Sequence, residues 1–162
     1  LNLAKILAKL GKKRESVSYM YRALSLNPEI LSAKDYFYLG KSFMEQDRLR
    51  KGLSYCLKAV RLDPNYLEVY YHLDKVITHK GQQQKAINYL YQAIKRNPKD
   101  LQAYYLLGQT LAAQTNWDEA VKAYSQVLQI QPKFPLASEK LNHALAEKLK
   151  QQKQKINQIN SN

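Results

Sequence analysis

Phe37, Tyr71 and Tyr105 recur at a constant interval along the chain, with Leu1 in the same place of a partial first copy. One helical turn after them stand Lys5, Lys41, Lys75 and Gln109. Rings placed this way take apolar or aromatic side chains of an extended peptide, and ammonium groups meet its carboxylates. The other reading of the lysines is that they solvate an exposed wall, since lysine is abundant along the whole chain. Catalytic chemistry has less to draw on. His72 and His79 lie two turns apart on one helix face, but no Cys, Asp or third His joins them at metal-ligand spacing. Together with His143 they read as polar surface histidines. Cys56 shares a register with Leu90 and Tyr124 and reads as a small core residue. No phosphate-cradling glycine loop or nucleophile motif is present. The expectation is a binding protein without enzyme activity, metal or cofactor.

The elements that position these residues follow from the same interval. Pro64, Pro98 and Pro132 repeat it, and Pro28 precedes them at a slightly longer one because "EI" follows it. Tyr36, Tyr70 and Tyr104 fall in register, as do Leu39, Leu73 and Leu107. Within one copy Tyr104, Leu107, Gly108 and Leu111 trace one helix face, and Ala120, Val121, Tyr124, Val127 and Leu128 trace a second. Asn116 with Glu119, Ser32 with Asp35 and Asn65 with Glu68 have the pattern of capping boxes. Each proline then stops the second helix. Gly108 and Ala120 are small enough for the two helices to cross closely. The resulting expectation is eight helices near 1–10, 13–26, 33–46, 49–62, 67–80, 83–96, 101–114 and 117–130. Tyr19, Tyr55 and Tyr89, in register on the second helices, read as packing between copies.

The stretch "LQAYYLLGQTLAAQTNWDEAVKAYSQVLQIQP" resembles the tetratricopeptide repeat (TPR) family through Tyr104, Leu107, Gly108, Ala120, Tyr124 and Pro132. The resemblance covers about residues 1–134, in repeats of about 1–30, 33–66, 67–100 and 101–134. Asp74 in place of glycine, Gly52 in place of alanine, and Ser16, which weakens a truncated first copy, depart from the pattern. The resemblance implies an all-α, right-handed superhelical solenoid of antiparallel helix pairs. It also implies that Phe37, Tyr71, Tyr105, Lys5, Lys41, Lys75 and Gln109 face a concave ligand groove. Some members bind the terminal carboxylate of chaperones. The matching places here are Leu1, Lys5, Tyr38, Glu68 and His72, and the reversed charge of Glu68 excludes that partner.

After Pro132 the pattern decays. Pro135 and the leucines 136, 141, 145 and 149 suggest a capping helix over about 135–150, with Leu141 and Leu145 covering the last repeat. Residues 151–162 read as a disordered tail. A single domain over 1–150 is therefore expected.

Composition sets outer bounds. The 162 residues are 45% hydrophobic, which suffices for a core, and carry a net charge of +13. Such an excess attracts acidic proteins, nucleic acid or anionic membranes alike. No apolar run reaches the roughly 20 residues of a membrane span. A lone cysteine favours a reducing compartment, so a cytoplasmic location is expected. The first residue is Leu1 rather than Met, and the expectation is a piece of a longer protein. The leading functional reading is a non-catalytic adaptor that holds an acidic peptide. The alternatives are a nucleic-acid-binding helical repeat and an accessory region of a longer enzyme.

Overall fold

The computed structural model describes residues 1–77, 81–134 and 136–160. His79, Pro135 and the Asp74 side chain, each given a role above, lie outside the described residues. In chain order the elements are α1 (Asn2–Lys9), α2 (Lys13–Leu26), a short 3-10 turn (Pro28–Ile30), α3 (Ala33–Met44), α4 (Leu49–Leu62), α5 (Leu67–Ile77), α6 (Gln83–Arg96), α7 (Leu101–Ala113), α8 (Trp117–Ile130) and α9 (Ala137–Asn160). The fold is all-α. The "EI" insertion is absorbed by the 3-10 turn. The chain divides into two compact parts, Leu1–Leu73 and Asp74–Asn162, with the division inside α5.

The residue ahead of each proline is forced out of helical geometry, as a pre-proline residue must be. Asn27, Asp63, Asn97 and Gln131 are all extended, and each donates its N–H back to the helix it ends. Three of them also accept from the backbone two residues on: Asn27 from Glu29, Asp63 from Asn65 and Asn97 from Lys99. Such Asx turns carry the chain over the proline toward the next helix.

The turn inside each hairpin repeats as well. Gly11, Asp47, Gly81 and Thr115 all have positive φ, between 58° and 94°, at the spacing of the repeat. At Asp47 the N–H bonds to the Met44 carbonyl, and the next N–H, of Arg48, bonds to that of Phe43. Gly11 with Lys12 and Thr115 with Asn116 make the same pair of bonds, a Schellman motif. Two of the four positions use glycine, as the left-handed conformation prefers.

Capping boxes hold less widely than their spacing suggests. Ser32 and Asp35 form one in full. Asn116 accepts from the Glu119 N–H, but the Glu119 carboxylate turns instead to Lys122, 2.6 Å away. Asn65 lies too early, because α5 begins at Leu67 and the Glu68 carboxylate accepts from the Tyr66 hydroxyl.

In the α1–α2, α3–α4 and α7–α8 hairpins the two helices cross where side chains are small. A Cβ on Gly108 would meet the Tyr124 ring at 2.6 Å, and one on Gly40 would meet Cys56 Sγ at 2.5 Å. Gly52 opposes the Gly40 carbonyl, and the Met44 side chain fills the space that a larger residue would take. Ser16, expected to weaken the first copy, is fully buried, and its hydroxyl donates to the Ala4 carbonyl at 2.7 Å. It packs as alanine would and adds a bond across the crossing.

The α9 helix departs from expectation in two ways. It runs on to Asn160 where a disordered tail was expected after 150. Polarity alone had suggested disorder, but the lysines and glutamines there are good helix formers and no Gly or Pro interrupts them. Its packing face is also rotated from the expected one. Ala137 and Ala144 are buried and Leu141 is half-buried, whereas Leu145 and Leu149 are exposed.

Two measurements test this account. Ala120→Leu should destabilise the fold by about 1–3 kcal/mol in thermal melts, because the added carbons must fit a closed crossing. Lys122→Leu, on the exposed face of the same helix, should change stability little. Thr115→Gly should raise stability by about 0.5–1 kcal/mol, since a β-branched residue is strained at φ 58°.

Candidate functional site

The seven residues singled out from the sequence fall in different environments. In the N-terminal part Phe37 is only 6% exposed. Its ring meets Tyr66 at 5.5 Å and His72 at 5.4 Å, both edge-on. In the C-terminal part Tyr105 is fully buried, with Phe134 at 5.4 Å and Tyr124 at 5.8 Å. Tyr71 alone of the three rings stands free, at 66% exposure. The expected strip of exposed rings is therefore corrected: two of its three members belong to the core.

The cause is a second register. Tyr66 follows Phe37 at the same separation along the chain as Phe134 follows Tyr105. At those two places the residue leading into the following helix is aromatic and lies against the earlier ring. The residue in that place after Tyr71 is Asp100, whose carboxylate accepts from the Ala103 N–H and caps α7. The sequence carried this signal in the aromatic identity of positions 66 and 134.

The cations differ too. Lys5 is held 3.3 Å from Asp35, the carboxylate that completes the capping box of α3. Lys41 and Lys75 are exposed, and Lys41 forms no ion pair among the described residues. Gln109 is buried.

Gln109 lines a cavity of about 190 Å³ in the C-terminal part. The α7 helix contributes Gln109, Ala112 and Ala113, α8 contributes Trp117 and Tyr124, and α9 contributes Lys140 and His143. The Trp117 and His143 rings meet edge-on at 5.9 Å. No ion pair occupies Lys140 among the described residues. His143, read above as a surface histidine, lies one repeat interval after Gln109 and so continues the row of Lys5, Lys41 and Lys75. Lys140 continues the register of Leu106. Neither belonged to the expected groove, because the repeat pattern decays after Pro132.

Other chemistry is limited. Cys56 is buried, and burial pushes its thiol up to about 12, which leaves it protonated and inert. His72 is half-buried against Phe37 rather than a surface residue. Among the described residues no group of His, Cys, Asp or Glu could hold a metal ion, and no helix is long and apolar enough to cross a membrane. Of the tyrosines assigned to packing, Tyr55 is buried among Tyr21, Tyr36 and Phe43, while Tyr19 is exposed.

These placements separate core rings from available ones. Phe37→Ala and Tyr105→Ala should each cost about 3–5 kcal/mol in chemical denaturation, as large core truncations do. Tyr71→Ala should change stability by no more than about 0.5 kcal/mol.

Comparison with known proteins agrees with the repeat. Models described as tetratricopeptide repeat match residues 1–30 and 78–152. A crystal structure of MamA protein is 25% identical over 91% of this chain and 79% of its own, with a TM-score of 0.53. A second MamA crystal structure is 23% identical over 94% of this chain and 98% of its own, with a TM-score of 0.47. YrrB, described as a TPR protein with an unusual peptide-binding site, is 18% identical over 86% of this chain and 88% of its own, with a TM-score of 0.42. No curated protein matches the sequence. With the hairpins, their small-residue crossings and the proline stops, the two family models and the first MamA structure place the chain in the tetratricopeptide repeat family, a family of protein–protein interaction scaffolds.

Proposed function

We propose that this scaffold is non-catalytic and binds an acidic peptide segment, with one side chain of the ligand entering the cavity between α7, α8 and α9. The observation that carries the reading is the lining of that cavity: an apolar wall of Trp117, Tyr124, Ala112 and Ala113 beside the cations and donors Lys140, His143 and Gln109. A wall of that kind accepts the carbon stem of a glutamate or aspartate. The ammonium at Lys140 then meets its carboxylate, and in a partly enclosed place that attraction is screened less than on open surface. In the N-terminal part the side chains of Lys41 and Tyr71 are each exposed.

The test measures binding to an acidic peptide library and to a mixed-sequence single strand of DNA, each at two salt concentrations. Lys140→Glu should reduce peptide affinity at least tenfold, and Trp117→Ala should weaken it substantially. Reversing Lys12, Lys13 and Arg14 together should matter little, since Lys12 and Lys13 already face Glu15 and Glu45. Strand binding that survives Lys140→Glu, fails in the Lys12, Lys13 and Arg14 variant and falls steeply with salt would overturn the reading in favour of nucleic acid.

A further inference from the structure

The distal half of α9 carries a feature that the cavity does not use. Ala137, Leu141 and Ala144 form the packed face of this helix, which contacts α8 and α7. From Gln152 to Ile159 every side chain is exposed. Along it runs an apolar line: Leu145 at 40% exposure, Leu149 at 57%, Ile156 at 56% and Ile159 at 74%. With Gln152 in the gap, the spacing is 4, 3, 4, 3. That is the seam of a heptad repeat, in which Leu145, Gln152 and Ile159 take d positions and Leu149 and Ile156 take a positions.

Charge selects the occupant. Lys148 and Lys155 fall at g and Lys153 at e, flanking the seam on both sides, and no acidic residue lies between Lys148 and Asn160. Lys148 reaches Asp118 at 2.6 Å, while Lys153 and Lys155 form no ion pair among the described residues. A second copy of this chain is a poor match. Parallel pairing sets g against e and antiparallel pairing sets g against g, so lysine meets lysine either way. A lipid surface is also a poor match, because the apolar line is narrow, is broken by Gln152 and has no aromatic residue. We infer that residues 145–159 form a coiled-coil docking seam for a helix of another protein, one with aliphatic residues at a and d and glutamates at e and g. Such a partner buries the four exposed aliphatic side chains and neutralises the flanking lysines together.

The full chain is titrated, by fluorescence anisotropy, into a labelled three-heptad peptide with leucine at a and d and glutamate at e and g. Leu149→Asp with Ile156→Asp should weaken binding at least tenfold. Lys153→Glu with Lys155→Glu should do the same, and a peptide with lysine at e and g should restore binding to that second variant. All four residues are exposed, so circular dichroism should show each variant folded. Lys140→Glu should leave this binding unchanged, which separates the seam from the cavity. No binding of the acidic peptide, equal binding by all variants, or uptake only by phosphatidylserine vesicles would overturn the proposal. So would a dimer of the chain alone that the Leu149 and Ile156 changes dissociate in sedimentation.

Discussion

Everything in this molecule depends on how closely the two helices of a hairpin can cross. A pair of helices of at most 14 residues cannot cover its own apolar faces, so the pairs must pack tightly and pass their remaining faces to neighbours. Close crossing demands that no side chain stand between the backbones. Three of the hairpins meet that demand with different atoms. Ser16 bonds across to Ala4, Gly52 opposes Gly40, and Gly108 lies under the Tyr124 ring. Ala86 fills the same register and is fully buried. A family pattern read only as residue types would score Ser16 and Gly52 as defects. Read as volumes at a contact, they are solutions.

The same logic explains why aligned positions need not share an environment. Phe37, Tyr71 and Tyr105 are equivalent by interval, yet two are core and one is surface. A position in a repeat array is defined by its own copy and by what the following element brings to it. Tyr66 and Phe134 bring rings, and burial of the facing ring follows. Binding surface in such a chain is what remains after these local pairings are satisfied.

Much of the fold was legible because it is local. Helical periodicity, prolines and small residues at crossings all act within one repeat, and the observed helix bounds lie close to the expected ones wherever such signals stood at both ends. Gly11, Gly81 and Asp47 are residue types that adopt the left-handed turn, whereas Thr115 hid it behind a β-branched side chain that seldom does. The site was legible only in part. Gln109 was found by its register, but the partners that turn it into a cavity wall, Lys140 and His143, sit on a helix where the family pattern has faded. The orientation of α9 was misread for a related reason. Leucines were assumed to be its buried face, while the close approach of α8 selects the alanines.

Net charge was the least informative signal, and the structure shows why. Of the cations, Lys51 lies over the Tyr21 and Phe43 rings, Arg48 lies over Phe43, and Lys58 lies over Tyr36 and Tyr55. Burial would raise the Tyr21 phenol, but the hydrogen bond from Tyr55 and the nearby Lys51 outweigh it and lower it. These cations are thus part of an aromatic cluster rather than a sheet of charge awaiting a polyanion. Lys5, Lys12, Lys13, Lys122 and Lys150 are matched with carboxylates. Lys41, Lys140, Lys153 and Lys155 form no ion pair among the described residues. Lys140 lines a cavity, and Lys153 and Lys155 border an apolar seam. A cation beside uncovered apolar surface leaves both open to a single ligand. A cation over a ring of its own protein already has its partner, so counting both kinds together as +13 overstates what the surface offers to nucleic acid.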